Sequence, residues 1–427
     1  MGRRLPGLVI VLLMLAGVVS ARATVTPVRH RHRMLAATTS HRLVMHSHGM
    51  VAHSVRRARG RAYARAAVAH VAVRGRAAMV RVRGRRGRIR YYGERFTASS
   101  FTDQNLLTAN DVTAGEDPVV RAAAIEALGN MNGTVLAIDP SDGRILAMVN
   151  QKLALSAGAE PCSTIKVAVA LAALKEGLVK SDTPVNLGGH YSVDLTHALA
   201  RSINLYFEVL GRSMGFERVK HYANEFGLGE LAGYNIPGEH LGVYPDTELP
   251  AARGGVGRMC SFGESISMTP LQLGALVSAI ANGGTLYYLQ HPTTQAEVAS
   301  FQPQVKRILD IKDVIPQILP GMQGAVDFSN GTARSLRTNF ESFPVFGKTG
   351  TCSDNGTRFG WFVSYGDAPT GRIVTVIFLE GGRDTFGPKA AELTGQFYRA
   401  MYDRNYFLQS KPETATASMG SGGAAQR

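Results

Sequence analysis

The chain has 427 residues, 45% apolar and 19% charged, a composition that excludes a wholly disordered protein. No apolar run reaches the ~18 to 20 residues that a membrane-spanning helix needs, which excludes a protein with several spans, and three cysteines are too few for a small disulfide-stapled scaffold. The net charge of +15 is unevenly distributed, since residues 1–93 hold 20 arginines, no lysine and no acidic residue, whereas positions 94–427 carry a net charge of −5. The part predicted to fold is therefore mildly acidic.

The N-terminus has the pattern of a secretory signal. Two arginines precede an apolar run from Leu8 to Val19, and Ala21 and Ala23 supply the small residues of a cleavage site. We predict a signal peptide over residues 1–23 and an exported protein, periplasmic or otherwise extracytoplasmic. An uncleaved membrane anchor is the alternative, although the run is short for a span. The compact apolar core argues against an organellar transit peptide.

Residues 24–93 form a low-complexity segment rich in Arg, His, Ala, Val and Gly. Repulsion among its arginines predicts an extended, solvated tether. Outside the cytoplasm its partner would be an anionic envelope surface rather than nucleic acid, and a spacer without a ligand is an equally good interpretation. The pairs His30 and His32, and His46 and His48, lack neighbouring ligands at a fixed spacing, so we predict no metal site there.

Residues 94–407 have a globular pattern, and residues 408–427 a composition typical of a disordered tail. A helical middle, about 163–282, separates strand-like runs near the two ends of this domain. The strand-like runs are 133–139, 144–149, 345–352, 360–365 and 372–379. This order predicts an α+β fold, in which a five-stranded antiparallel sheet is flanked by helices and carries an inserted all-helical lobe.

The segment that begins at Pro161 predicts a buried helix, because it is apolar on nearly every side from Ser163 onward. A lysine at position 166 is unusual in such a helix. Ser163 and Lys166 are three residues apart and so share one face, with the serine at the positive end of the helix dipole. Burial lowers the pKa of a lysine, and a neutral amine can take a serine's proton. The pair therefore predicts a serine nucleophile with a lysine base.

Two motifs downstream carry polar side chains suited to the same site. Ser202 and Asn204 fall in a helical pattern, 196–210, where residues two apart cannot share a face. Both become useful only at a loop or helix end that faces a cleft. In a later strand-like run, Lys348 supplies a cation for a carboxylate and Gly350 leaves room for a ligand's backbone. Each motif alone is weak evidence for a catalytic site.

Taken together and in this order, Ser-x-x-Lys at 163–166, Ser-x-Asn at 202–204 and Lys-Thr-Gly at 348–350 resemble the active-site motifs of the penicillin-binding protein transpeptidase and serine β-lactamase superfamily. The resemblance extends over about residues 130–405. Segments similar to the transpeptidase branch are 229–239, 269–273, 281–284 and 331–332. The resemblance implies an acyl transferase that needs no metal or cofactor, acts on the D-Ala-D-Ala stem peptides of peptidoglycan and is acylated by β-lactams.

The resemblance also implies catalytic roles. Ser163 attacks the carbonyl between two D-alanines and forms an acyl-enzyme, with Lys166 as its base. Ser202 relays a proton to the leaving amine. The backbone N–H groups of Ser163 and Thr351 form the oxyanion hole, whose donors contribute about 3 kcal/mol each in other enzymes.

Substrate-binding roles follow from the same resemblance. Asn204 binds a substrate amide. The terminal carboxylate is held by Lys348 together with Thr349 or Thr351, and Gly350 lies between these two threonines. The strand that carries Lys-Thr-Gly is thus expected to line the cleft opposite the nucleophile.

The three cysteines receive different predictions. In a fold of this kind the positions of Cys162 and Cys352 face each other across the site, and some β-lactamases carry a bridge in the corresponding places. We therefore predict a disulfide between them, consistent with export, with two buried thiols as the alternative. Cys260 is predicted to be a free buried thiol.

Two further features resemble parts of an active site, but their positions in the sequence indicate structural roles. The run 353–355, Ser-Asp-Asn, spells a β-lactamase motif, but it directly follows the Lys-Thr-Gly strand and is completed by Gly356, so we interpret it as a hairpin turn. Trp361 is the only tryptophan, and its strand-like setting favours the sheet core over a substrate platform.

Three functions are compatible with the motifs. The leading hypothesis is a D,D-transpeptidase or carboxypeptidase, a stand-alone catalytic domain on a basic tether. A β-lactamase is the second hypothesis and needs a further base, for which Glu239 is the nearest carboxylate and a carbamylated Lys166 the other option. A penicillin sensor that is acylated without turnover is the third.

Overall fold

The computed structural model describes residues 96–408 together with the backbone of two short strands before them. The strands are β1 (Val80–Arg83), β2 (Ile89–Tyr92), β3 (Gly133–Ile138), β4 (Ile145–Val149), β5 (Val185–Asn186), β6 (Ser192–Val193), β7 (Thr285–Tyr287), β8 (Val305–Ile308), β9 (Val345–Asp354), β10 (Thr357–Ala368) and β11 (Gly371–Gly381). The predicted signal peptide, most of the predicted tether, its histidine pairs and residues 409–427 lie outside the described residues. Strands β1 and β2 pair with each other inside the segment predicted as a tether, a difference from the single extended chain expected there.

Twelve α-helices lie between and after these strands in the described part of the chain. They are α1 (Gln104–Thr108), α2 (Pro118–Leu128), α3 (Gln151–Ala154), α4 (Lys166–Lys175), α5 (Leu195–Ala200), α6 (Asn204–Met214), α7 (Phe216–Glu225), α8 (Gly255–Phe262), α9 (Pro270–Asn282), α10 (Gln295–Ala299), α11 (Ile315–Asp327) and α12 (Gly387–Asp403). Across residues 96–408, none of the helices combines the length and the apolar character needed to cross a bilayer.

The predicted α+β fold is confirmed. Five antiparallel strands form the main sheet in the order β4-β3-β11-β10-β9. Strand β3 comes from the beginning of the domain and β11 from its end, and they pair in the middle of the sheet, with Leu136 opposite Val376. Asn355 and Gly356, both with positive φ, make the two-residue turn between β9 and β10, which confirms the hairpin interpretation of this segment.

The sheet is covered on both faces, because successive side chains of β3 enter different cores. Leu136 and Ile138 pack with the helical lobe and with α4 and α9, whereas Val135 and Ala137 pack with α2 and α12. Helix α9 begins with a capping box, in which Thr269 and Gln272 bond each other's backbone. The run 269–273 therefore has a local structural function as a helix start.

The predicted helical run 196–210 is two helices rather than one. Helix α5 ends at Ala200, and α6 begins at Asn204. Ser202 lies between them with φ of +56°, a left-handed conformation that an α-helix cannot contain. The left-handed conformation of Ser202 causes the break, and the apolar periodicity of the sequence does not predict that conformation.

Candidate active site

The nucleophile candidate lies at the entrance to the buried helix. Residues Cys162–Ile165 form one 3-10 turn that leads directly into α4, so the predicted helix starts as a tighter turn. The side chain of Lys166 is fully buried, and its Nζ lies 2.8 Å from the Oγ of the half-buried Ser163. The three-residue spacing thus brings the amine and the hydroxyl into direct contact.

The break between α5 and α6 projects the second motif toward the same amine. Lys166 Nζ lies 3.0 Å from Ser202 Oγ and 2.6 Å from Asn204 Oδ1. It also donates to the backbone carbonyl of Ser202 at 3.2 Å. Ser202 and Asn204 can reach one point because the left-handed residue turns the chain between them. Ser202 thus lies in the turn between the two helices and Asn204 at the first position of α6, the helix-end placement that the sequence predicted.

The third motif lies on β9, the edge strand of the main sheet. Lys348 is fully buried, and its Nζ lies 2.9 Å from Ser202 Oγ and 3.0 Å from the carbonyl of Thr349. The hydroxyl of Ser202 therefore lies between two lysine side chains, Lys166 on one side and Lys348 on the other. One continuous chain of hydrogen-bonding groups connects the Ser163 hydroxyl to β9.

Burial lowers the pKa of both amines in this chain. Burial, reinforced by the charge of Lys348, lowers the pKa of Lys166 well below its ordinary value of 10.5, and Glu208 opposes this shift. Burial also lowers the pKa of Lys348 to about 7. A neutral Lys166 has a free lone pair and can accept a proton from Ser163, which an ammonium group cannot do.

The end of β9 closes the site above the nucleophile. A Cβ on Gly350 would lie 2.8 Å from the carbonyl oxygen of Pro161, so only glycine lets the strand approach the nucleophile turn this closely. Thr351 is exposed, and its Oγ1 accepts a hydrogen bond from the backbone of Gly387 at 2.8 Å. Cys162 and Cys352 form the predicted disulfide with a Cα–Cα distance of 5.6 Å.

Sequence reasoning missed two residues that contact the site. The hydroxyl of Thr332 lies 2.7 Å from that of Thr349, a contact that its place in the segment 331–332 did not predict. The centroid of the Phe207 ring lies 5.5 Å from Lys166 Nζ, within the range of a cation–π contact when the amine is protonated. Phe207 lies three positions after Asn204 and Thr332 sixteen positions before Lys348, and no spacing rule relates either residue to the site.

The other residues considered in the sequence have structural roles. Trp361 is buried and stacks on Phe378 with ring centroids 3.9 Å apart, while its Nε1 donates to the carbonyl of Glu160 at 2.9 Å. The carboxylate of Glu239 accepts hydrogen bonds from the backbone of Ala232 and Gly233, which fixes its own loop. Cys260 is a free buried thiol, as predicted. No group of three or more His, Cys, Asp or Glu side chains within the described ranges is arranged to hold a metal.

The fold and the three motifs agree with what comparison with known families finds. The family model of the penicillin binding protein transpeptidase domain matches residues 133–399. The chain therefore belongs to the penicillin-binding protein transpeptidase domain family.

Curated relatives are similar at modest identity. Stage V sporulation protein D of Bacillus subtilis is 27% identical over 316 residues, covering 64% of this chain and 48% of the relative. Peptidoglycan D,D-transpeptidase MrdA of Acinetobacter baumannii is 24% identical over 361 residues, covering 66% and 52%. The chain thus spans about half the length of these relatives. The crystal structure of a peptidoglycan glycosyltransferase from Burkholderia ambifaria matches with a TM-score of 0.57 at 19% identity, covering 70% of this chain and 99% of that one, and shows a shared fold.

We expect the buried Lys348 to make the stability of the protein depend on pH. The pKa of Lys348 is about 7 in the folded state and 10.5 in an exposed chain, so between these values the unfolded chain binds more protons. Stability therefore rises with pH in this window, by roughly 1.4 kcal/mol per pH unit from this group. Below pH 7 Lys348 is charged in the folded as well as the unfolded state, so its effect on stability no longer changes with pH.

We expect Lys348→Met to reduce this pH dependence. Between pH 7 and pH 9, urea unfolding should show a contribution of about 2 kcal/mol from Lys348 to the rise in the wild-type free energy of unfolding, and a correspondingly smaller rise in the variant. Lys389→Met is the control, because Lys389 is partly exposed and pairs with Glu392 on the surface. An equal rise in the wild type and Lys348→Met would contradict the assignment.

Proposed function

We propose that the protein is a serine D,D-transpeptidase or carboxypeptidase that acts on the D-Ala-D-Ala stem peptides of peptidoglycan outside the cytoplasm. One observation carries the proposal: the Ser163 hydroxyl, the buried Lys166 amine and the Ser202 hydroxyl form a chain with contacts of 2.8 and 3.0 Å. The family model and the names of the relatives, which include peptidoglycan D,D-transpeptidases, support the choice of substrate.

The first half of the reaction builds an acyl-enzyme. Neutral Lys166 takes the proton of Ser163 as its Oγ attacks the carbonyl carbon between the two D-alanines. The negative charge that develops on the carbonyl oxygen is stabilised by the backbone N–H groups of Ser163 and Thr351. The C–N bond then breaks, and Ser202 donates its proton to the leaving D-alanine amine while it receives one from Lys166. The acyl group remains on Ser163 as an ester.

The second half reverses the proton movements. An amine from a neighbouring stem peptide, or water, attacks the ester and gives up its proton through Ser202 to Lys166. Ser163 Oγ leaves and regains a proton. An amine yields a cross-linked peptide and water a trimmed one. A β-lactam ring opens on Ser163 by the same first step, so we propose that penicillin binds covalently.

Binding groups surround this chain. Because Asn204 Oδ1 faces Lys166, its side-chain NH₂ is left to donate to a substrate carbonyl. Lys348 supplies positive charge for the terminal carboxylate, and the hydroxyls of Thr349 and Thr351 supply donors along the same strand. We therefore propose that the peptide backbone binds near Asn204 and the terminal carboxylate near Lys348.

The geometry disfavours a β-lactamase. Glu239, the carboxylate considered as a deacylation base, is bound to the backbone of its own loop. A carbamate on Lys166 would bring two acceptor oxygens against the Ser202 carbonyl and Asn204 Oδ1, which already accept from this amine. A non-turnover sensor would retain the same chain of hydroxyls and amines, so kinetics must distinguish it from the transpeptidase.

A fluorescent penicillin followed over hours on the full chain tests the proposal. We expect a stoichiometric adduct that mass spectrometry of digests locates on Ser163, persists for hours and is absent from Ser163→Ala. Release of a D-alanine from a D-Ala-D-Ala peptide should also depend on Ser163, whereas a sensor would hold the drug without turnover. Rapid loss of the adduct would favour a β-lactamase, and no adduct would contradict an acyl transferase.

A further inference from the structure

Thr332 lies at the junction of three elements that build the site. Its backbone N–H donates to the carbonyl of Ala200 at 3.2 Å, two residues before Ser202. Its side-chain oxygen lies 2.7 Å from the hydroxyl of Thr349 on β9. The residue therefore connects the chain that presents Ser202 with the strand that presents Lys348.

The position of Thr332 is fixed by close packing against the end of α11. A Cβ on Gly331 would overlap the carbonyl oxygens of Gly324 and Ala325, so the chain can cross this helix end only through a glycine. The next residue, Ala333, donates its backbone N–H to the Ala325 carbonyl at 2.7 Å. Thr332 is thus held from both sides along the chain and has little freedom to move away from Thr349.

The hydroxyl of Thr349 depends on Thr332 for its orientation. Thr349 is only 4% exposed, and within residues 96–408 the structure gives its hydroxyl one hydrogen-bond partner, Thr332. A hydroxyl carries one proton, so within the pair only one oxygen can donate to the other at a time. When Thr332 donates to Thr349, the proton of Thr349 becomes available for a third group.

We infer that Thr332 is a positioning residue for recognition of the substrate's terminal carboxylate, an inference that depends on the proposed function. With substrate bound, the Thr332 hydroxyl donates to Thr349 and the Thr349 hydroxyl donates to the carboxylate. Hydrogen bonds in such a chain polarise and strengthen one another, and donation to a charged acceptor is the stronger kind. Without the Thr332 hydroxyl, the Thr349 hydroxyl loses the partner that orients it toward the carboxylate.

The test compares two ligands that differ only at the carboxylate: a penicillin and its methyl ester. Thr332→Val keeps the shape of the side chain and removes its hydroxyl. We expect its second-order acylation constant to fall about tenfold for the acid and less than twofold for the ester, each relative to the wild type. Thr332→Ser should restore the acid's rate to within about twofold of wild type.

Controls separate this role from general damage to the site. Thr338→Val removes a surface hydroxyl that bonds the Ser335 carbonyl, and it should leave both rates unchanged. An equal fall for acid and ester in Thr332→Val, or no fall for either, would overturn the inference while leaving the proposed function intact. If Thr332→Val does not fold, Thr332→Ala replaces it. The ratio of its acylation constants for the acid and the ester is then compared with the wild-type ratio, and an unchanged ratio would overturn the inference. A wild type that accepts neither ligand would contradict the proposed function and this inference together.

Discussion

Lys166→Met should slow acylation by a fluorescent penicillin about 10²- to 10⁴-fold, the usual contribution of a positioned base. Methionine fills a similar volume but has no lone pair able to take the Ser163 proton. The wild-type rate should also rise with pH at values well below 10.5, because burial and Lys348 lower the pKa of Lys166 and deprotonation creates the active base. This rise should be absent in the variant.

Lys175→Met is the matched control, because Lys175 belongs to the same helix. Its Nζ pairs with Asp310 at 2.8 Å, and the Asp310 side chain is 88% exposed, so the pair belongs to the surface. Acylation of this control should stay within about twofold of the wild-type rate, since surface ion pairs contribute little. Wild-type kinetics in Lys166→Met would exclude the amine as the base.

Loss of the disulfide should produce the largest change in stability. Cys162 and Cys352 are separated by 190 positions, and a cross-link over so long a loop strongly restricts the unfolded chain. The double variant Cys162→Ser with Cys352→Ser should lose about 2 to 5 kcal/mol of the free energy of unfolding. Urea unfolding without reductant measures this difference.

The same experiment with reductant supplies its control. Dithiothreitol should lower the unfolding midpoint of the wild type toward that of the double variant and leave the variant unchanged, because Cys260 is already a free thiol. Equal midpoints for wild type and variant without reductant would argue against the bridge. Alkylation of Cys162 and Cys352 in protein unfolded without reductant would do so independently.

The sequence allowed the sheet, the helical lobe and three motifs to be predicted, because each depends on local patterns. Alternating apolar runs located the five strands, and Asn355 and Gly356 marked a hairpin turn. The spacing of Ser163 and Lys166 was sufficient to predict their contact, since helical turns fix which residues are neighbours.

Other parts of the site could not be predicted, because they depend on tertiary packing. The left-handed backbone of Ser202 divides one periodic pattern into two helices, and its strain is sustained by contacts with Lys166 and Lys348. The contact of Thr332 with Thr349 joins residues 17 positions apart in different elements. Neither feature leaves a repeating signal in the sequence.

The pairing of β3 with β11 bears on when the contacts around Ser163 form as the chain folds. A growing polypeptide contains Ser163 and Lys166 long before it contains β9, and the middle of the sheet cannot close until Gly371–Gly381 has been made. Such distant pairing is slow, because a long loop must be closed first. The strand that carries Lys348 therefore becomes available only late in synthesis, and we expect the full set of contacts around Ser163 to form after the sheet has closed.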